Sequence, residues 1–195
     1  GLKADCIRTV VDDFKFKESF SSHLVTRFIS VGNVCDGKNQ LEVIKAVHSL
    51  LLSGYEALLD IYGYESGPYA LKCKNYVRDN NLDRNITFHG FCDNMETVYK
   101  NSDVAIIGSV RESYPNVVSE SLANSVIVVS TPVAGVPEVI KDRFNGYIAD
   151  GYTHESIAKK LIQLEEDKKS GQIDKIIRNA NETFLNVHSE PVIYE

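Results

Sequence analysis

The sequence predicts an α/β domain built on a doubly wound parallel sheet. Short β-rich apolar runs alternate along the chain with stretches of helical periodicity, and the connections between them are short. The apolar runs are nearly continuous rather than interrupted at every second residue, which is typical of parallel strands that are covered on both faces. These observations favour about six parallel strands with helices on both sides of the sheet.

The predicted strands mark where a ligand should bind. They are expected over residues 28–31, 58–62, 86–88, 104–107 and 126–129, with Gly32, Gly63, Gly90 and Gly108 close behind the first four. Ligands of open α/β sheets bind at the carboxyl ends of the strands. The loops that contain these glycines are therefore the predicted site.

Helical patterns fill the space between the strands and the end of the chain. Apolar residues recur at intervals of three and four between Leu41 and Leu51. A short helix is expected over residues 136–140 and a turn over residues 144–147. The C-terminal helices are expected from about Thr153, a suitable N-cap, with a second helix from near residue 172.

Composition and charge exclude several classes of function. The net charge is −6 and no run of lysines or arginines occurs, which argues against a nucleic-acid surface or a polybasic membrane patch. No apolar run approaches the ~20 residues that span a bilayer. The four cysteines lie far apart and form no C-x-x-C pair, which fits reduced thiols better than disulfides or a zinc site.

The loop after the first strand has the spacing of a phosphate-binding signature. Gly32, Gly37 and Lys38 match G-x-x-x-x-G-K, but Asn39 stands where a P-loop needs Ser or Thr to ligate Mg²⁺. One interpretation is a Mg²⁺-dependent P-loop-like NTP-binding protein. The other interpretation is a phosphate site without a metal. A glycine turn lets backbone amides approach phosphate, and Lys38 supplies the charge.

The stretch from residue 109 to residue 140 favours the second interpretation. It follows a predicted strand and opens a helix near Pro115, for which Ser113 is a suitable cap. The first backbone amides of that helix, from residue 116 to residue 118, would lie next to the strand end. A helix start of this kind favours phosphate without a metal.

Two carboxylates flank this predicted helix start. Glu112 lies in the loop and Glu120 in the second turn of the helix, between Ser119 and Ser121. Each could accept hydrogen bonds from vicinal hydroxyls. Polyol sites on both sides of a phosphate site suit a nucleotide sugar.

Further residues follow the carboxylates in a recognisable order. After Glu112-x₇-Glu120 come Pro137-Glu138 behind a glycine turn, and then Asn145-Gly146. This order, from about residue 28 to residue 164, resembles the donor half of the retaining glycosyltransferases of family 4, two-domain enzymes of the GT-B fold. The resemblance implies a Rossmann-like sheet that is one half of a GT-B fold. Residues 27–195 would be the nucleotide-sugar-binding domain and residues 1–26 a lead-in segment or linker.

The resemblance also implies a role for each matching residue. Glu112 resembles the glutamate that contacts the transferred sugar, Glu120 the one that holds the ribose, and Lys38 the lysine that holds the diphosphate. Glu112 and Lys38 are the predicted catalytic residues, and Phe91 lies in the loop that would seat the base. The other predicted donor-binding residues are Gly32, Asn33, Ser113, Tyr114, Pro115, Asn116 and Val117.

Two departures from the family pattern keep an alternative open. Asn33 stands in place of an arginine that shares the diphosphate with the lysine, and Ser113-Tyr114 replaces a Gly-Phe pair. The alternative is a non-catalytic module that binds a partner chain or has a degenerate nucleotide site.

The resemblance implies substrates and partners as well. The donor would be a nucleoside diphosphate sugar, and a glycan or glycolipid acceptor would be held by an N-terminal domain that we expect to be missing from this chain. No cofactor and no metal are expected, since no D-x-D motif occurs. We expect a cytoplasmic location, with peripheral contact at the inner face of the membrane left open. We further expect that this chain alone binds nucleotide weakly and transfers no sugar.

Overall fold

The computed structural model of the chain describes residues 16–17, 19–20, 23–112 and 115–189. Within these residues six strands form one parallel sheet in the order β3-β2-β1-β4-β5-β6. From β1 the chain adds β2 and β3 on one side, and then β4, β5 and β6 on the other side. This order confirms the prediction of a doubly wound sheet. The strands are β1 (Thr26–Val31), β2 (Ala57–Tyr62), β3 (Ile86–Gly90), β4 (Val104–Ile107), β5 (Ile127–Ser130) and β6 (Tyr147–Ile148).

Helices cover both faces of this sheet. Side chains of α1, α2 and α6 share a core with one face, and α3 and α4 bury apolar residues against the other. Helix α7 contributes apolar side chains to both cores. The helices are α1 (Gln40–Leu52), α2 (Gly67–Asp79), α3 (Met95–Lys100), α4 (Asn116–Ala123), α5 (Val136–Val139), α6 (His154–Ser170) and α7 (Ile173–Ser189).

The central strands explain why the apolar runs are continuous. β4 and β5 are buried along their whole length. Successive side chains of a strand point to opposite faces, so Ile106 packs in the core under α1 and α6 while Ala105 packs beside Tyr99 of α3. Burial of one such aliphatic side chain contributes about 1.5–3 kcal/mol to the stability of the fold.

Most element boundaries agree with the sequence predictions. The five predicted strands are present, β1 beginning at Thr26 rather than at residue 28. Thr153 is the N-cap of α6, and α7 begins at Ile173. The residues predicted as a turn over 144–147 include the start of β6, so that part of the prediction was wrong.

The β6 corner, residues 141–147, is closed by buried polar contacts. The Asn145 carboxamide accepts a hydrogen bond from the Lys141 amide at 2.7 Å and donates to the Val139 carbonyl at 2.9 Å and to Thr183 Oγ1 at 2.8 Å. A Cβ atom at Gly146 would lie 2.8 Å from the Val128 carbonyl oxygen. Asn145 and Gly146 therefore join β6 to β5 and α7.

None of the helices in the described part of the chain is both long enough and apolar enough to cross a membrane.

Candidate functional site

The site lies where the loops after β1 and β4 meet. These two strands are neighbours in the sheet, and the strand order reverses between them. Open α/β sheets have a crevice at such a switch point, because the loops after the two strands run to opposite sides. Gly32 to Asn39 form the first loop and residues 108–112 belong to the second. The Val110 amide donates to the Gly37 carbonyl at 3.0 Å and ties the loops together.

An ion pair joins the two predicted catalytic residues across these loops. Lys38 Nζ donates a hydrogen bond to Glu112 Oε1. The Ser109 hydroxyl donates to the same oxygen at 3.1 Å. The Lys38 side chain is 30% exposed and that of Glu112 16% exposed. The cation and the carboxylate are therefore partly shielded from water but remain open to a ligand.

Two glycines allow this arrangement. Gly32 has a φ of +135°, and a Cβ atom there would lie 3.1 Å from Lys38 Cε. A Cβ atom at Gly63, behind β2, would collide with the carbonyl of Gly32. Glycine is the residue that accepts a positive φ and a close backbone approach without steric cost. The Lys38 side chain can therefore lie across the end of β1.

Most backbone amides of the first loop are not free to form the predicted phosphate cradle. Most of the loop amides that such a cradle would use donate to acceptors within the protein, at 2.8–3.2 Å. The loop therefore offers a ligand its lysine and not a complete ring of amides. The donating amides belong to Gly32, Val34, Cys35, Lys38 and Asn39.

Gln40 organises this loop and was missed in the sequence. Its buried carboxamide donates to the carbonyls of Asn33 at 3.0 Å and Gly32 at 3.3 Å, and it accepts from the Cys35 amide at 3.2 Å. Asn33 itself is exposed. A buried glutamine at the first residue of a helix has no local sequence signal, because its partners are defined only once the loop has folded back.

The side chain of Asn39 does not take the role that the Ser or Thr hydroxyl has in a P-loop. It adopts a left-handed conformation with a φ of 59° at the N-cap of α1. Its side-chain amide donates to the Tyr152 carbonyl at 3.0 Å and so faces the loop before α6. This contact disfavours the P-loop interpretation.

The predicted helix start is present as α4. Pro115 is the N-cap and Asn116 the first helical residue. The Val118 amide donates to the Pro115 carbonyl at 3.0 Å, so the prediction that it is available to phosphate was wrong. The amides of Asn116 and Val117 precede the first hydrogen bond within the helix. Ser113 and Tyr114, predicted to bind the donor, lie outside the described residues.

Glu120 is held by a residue that the sequence analysis missed. The Tyr99 hydroxyl donates to Glu120 Oε2 at 2.6 Å. Tyr99 is 2% exposed, whereas Glu120 lies on the exposed side of α4. Burial and the adjacent Glu120 carboxylate raise the pKa of Tyr99, so its hydroxyl stays a donor at physiological pH. The ring of Tyr99 belongs to the core, and only its hydroxyl reaches the site.

Phe91 lies at the same edge of the sheet, directly behind β3. Its ring stacks on that of Tyr64 with centroids 5.0 Å apart and an interplanar angle of 13°. The two rings are 58% and 60% exposed. β3 is two strands from β1, which is roughly 10 Å at the ordinary strand spacing. An exposed aromatic surface therefore lies within the reach of a nucleotide from Lys38.

The chain is similar to known proteins in sequence and in fold. The family model for glycosyl transferases group 1 matches residues 12–183. The poly(glycerol-phosphate) alpha-glucosyltransferase of Bacillus subtilis (strain 168) is 27% identical over 156 residues, which are 80% of this chain and 22% of that protein. The chain thus spans about a fifth of the length of that relative.

Solved structures agree with this match. S. aureus TarM, in a complex with Fondaparinux, alpha-GlcNAc-glycerol and UDP, superposes with a TM-score of 0.78 at 18% identity, over 93% of this chain and 36% of TarM. The C-terminal domain of the group 1 family protein LpcC from Francisella tularensis superposes with a TM-score of 0.74 at 22% identity, over 89% of this chain and 96% of that domain. The fold is that of the C-terminal half of a GT-B enzyme. Together with the family match, it shows that the chain belongs to the glycosyl transferases group 1.

Proposed function

We propose that this chain is the donor-binding domain of a retaining glycosyltransferase that moves a sugar from a nucleoside diphosphate sugar to a glycan or glycolipid acceptor. The observation that carries the proposal is the contact between Lys38 and Glu112 at the switch point of the sheet. A cation and a carboxylate in one crevice offer a diphosphate and a sugar separate partners.

The chemistry assigned to this pair is electrostatic. The Lys38 ammonium would stabilise the diphosphate as negative charge develops on it, with no need for proton transfer. Glu112 would accept hydrogen bonds from hydroxyls of the transferred sugar. The two side chains satisfy each other. A bound donor would replace one partly shielded contact by two charge-assisted ones.

The remaining predicted residues would bind the rest of the donor. Glu120 would accept from the ribose hydroxyls, and the amides of Asn116 and Val117 would approach the diphosphate. Gly32 and Asn33 would border the diphosphate, and the ring of Phe91 would lie beside the base. The complex of TarM with UDP supports a nucleoside diphosphate as a ligand of this fold.

The proposal also covers binding without a metal, the origin of the acceptor site and the location of the protein. Lys38 would supply the charge that a metal supplies elsewhere, so binding should need no Mg²⁺. The acceptor and the remaining catalytic contacts would come from another domain, and the chain alone would bind nucleotide weakly and transfer no sugar. A cytoplasmic location, with contact at the inner face of the membrane, stays a prediction.

Thermal unfolding with UDP, GDP, ADP and ATP, each with Mg²⁺ or with EDTA, tests the proposal. A ligand at ~100 times its Kd stabilises a protein by about 2.7 kcal/mol, which is a shift in Tm of roughly 5–10 °C for a domain of this size. We expect a shift with one nucleoside diphosphate that persists in EDTA and is lost in Glu120→Ala. A shift with ATP and Mg²⁺ alone would support the P-loop alternative. No shift with any nucleotide would mean that the site is degenerate or that it is incomplete without the other domain.

A further inference from the structure

Tyr99 is a buried residue whose one polar atom faces the donor site. Its ring packs among Ile29, Ala105 and Val126, which lie on or beside β1, β4 and β5. Only the hydroxyl leaves this apolar cluster, and it donates to Glu120 Oε2 at 2.6 Å. The position of the hydroxyl is therefore fixed by the middle of the sheet rather than by the site itself.

Glu120 alone would have no fixed orientation. It lies on the exposed side of α4, and an exposed glutamate side chain samples several rotamers at little cost. The hydrogen bond from Tyr99 holds one carboxylate oxygen at a defined place. A carboxylate carries acceptor sites on both oxygens, so this contact leaves acceptor capacity for a second donor.

From this geometry we infer that Tyr99 is a positioning residue, which orients the Glu120 carboxylate to accept hydrogen bonds from the ribose hydroxyls of the donor. The inference rests on the proposed function. Without Tyr99 the carboxylate would have to be ordered when the nucleotide binds, and that loss of conformational freedom would weaken affinity. The competing interpretation is that Glu120 only satisfies a buried hydroxyl that needs a partner.

Tyr99→Phe tests the inference, since it removes the hydroxyl and keeps the ring. Tyr147→Phe is the matched control: Tyr147 is also buried, and its hydroxyl donates to a carboxylate, Asp167 Oδ2, at 3.0 Å on the far side of the sheet from α4. Both variants lose one hydrogen bond from a buried tyrosine to a carboxylate. Thermal unfolding of the two variants shows whether their loss of stability is comparable.

The decisive measurement is the affinity of the 195-residue chain for UDP and for 2′,3′-dideoxy-UDP, by calorimetry. We expect Tyr99→Phe to lower the affinity for UDP about three- to tenfold and to leave the affinity for dideoxy-UDP unchanged. Only UDP carries the ribose hydroxyls from which Glu120 would accept hydrogen bonds. Tyr147→Phe should change neither affinity. In Glu120→Gln, which is itself expected to lose affinity for UDP, adding Tyr99→Phe should cause little further loss.

Three outcomes would overturn the inference, and they point to different faults. If Tyr99→Phe binds UDP as the wild type does, while Glu120→Gln does not, Glu120 needs no positioning. If Tyr99→Phe lowers the affinity for UDP and for dideoxy-UDP equally, the role of Tyr99 is structural. If the wild type fails to distinguish UDP from dideoxy-UDP, the ribose assignment of Glu120 in the proposed function is wrong, and the role of Tyr99 falls with it.

Discussion

Two regions carry the sequence pattern of this family, and they use it in opposite ways. At the switch point, Lys38 and Glu112 form a partly exposed ion pair, and Glu120 lies exposed on α4. At the β6 corner, Asn145 is buried and its carboxamide makes three hydrogen bonds within the protein. Gly146 leaves no room there for a side chain.

The difference separates residues that hold a ligand from residues that hold the fold. The carboxamide of Asn145 is surrounded by protein partners, so a substitution there would disturb the packing of β6 and α7. The site carboxylates each have protein partners too, but Glu120 is exposed and the Glu112 side chain is partly exposed. A shared motif therefore indicates membership of the family, and the burial of each residue indicates what the residue does.

The largest expected effect on stability tests the β6 corner. In Gly146→Ala the new methyl group would lie within 3 Å of the Val128 carbonyl and the Ile140 side chain. Overpacking of this kind against backbone should lower the free energy of unfolding by about 2–3 kcal/mol. Urea unfolding of Gly146→Ala measures the loss.

Gly151→Ala is the matched control for this change. A Cβ atom at Gly151 would have Ser156 Oγ as its nearest neighbour, at 4.0 Å. A change within about 0.5 kcal/mol is expected there. Equal losses in the two variants would contradict the structural role of the corner.

The sequence could predict what depends on local pattern and order. The buried strands β4 and β5 followed from continuous apolar runs, and the placement of Lys38 and Glu112 in the loops behind two strands followed from their order in the chain. The role of Asn145 was only a family signature in the sequence, because burial among α7 and β6 is not visible there.

What the sequence could not predict depends on contacts between distant segments. Tyr99 and Glu120 are 21 residues apart on different helices, and the direction of one hydroxyl decides their contact. Gln40 and the amides of the first loop are satisfied by acceptors that exist only in the folded loop. The glycine spacing predicted that amides of this loop could approach phosphate. The pattern could not show that most of those amides are already paired within the protein.

An intermediate effect is expected from a carboxylate that joins two scaffold helices. Glu42 of α1 accepts from the amide and the ring of His154, both at 2.9 Å, and from Lys45 at 2.6 Å. Although burial works in the other direction, these hydrogen bonds lower the pKa of Glu42 to about 2. A depressed carboxyl pKa stabilises the fold above the pKa of the unfolded chain, near 4.5, and that stabilisation is lost as the pH falls towards 2.

Glu42→Gln should remove this pH dependence. At pH 7 the variant is expected to be less stable than the wild type by about 1–2 kcal/mol, after allowance for screening by solvent. The gap should narrow between pH 5 and about pH 3, as urea unfolding at each pH would show. A gap that stays constant over this range would mean that the Glu42 charge does not hold α1 to α6.

The smallest effect on stability is expected at the site itself, where the effect on binding should be large. Lys38→Met removes the cation of a partly exposed ion pair, and such pairs contribute about 0–1 kcal/mol. Lys45→Met is the matched control, because Lys45 pairs with Glu42 at similar exposure on the surface of α1. Both variants should unfold within about 1 kcal/mol of the wild type, yet only Lys38→Met should lose the shift in Tm that a nucleoside diphosphate produces. A loss of stability above about 2 kcal/mol in Lys38→Met alone would place Lys38 with Asn145 among the residues that hold the fold. The contrast between the two regions would then be wrong, because the lysine that the sequence assigns to the donor would serve the scaffold instead.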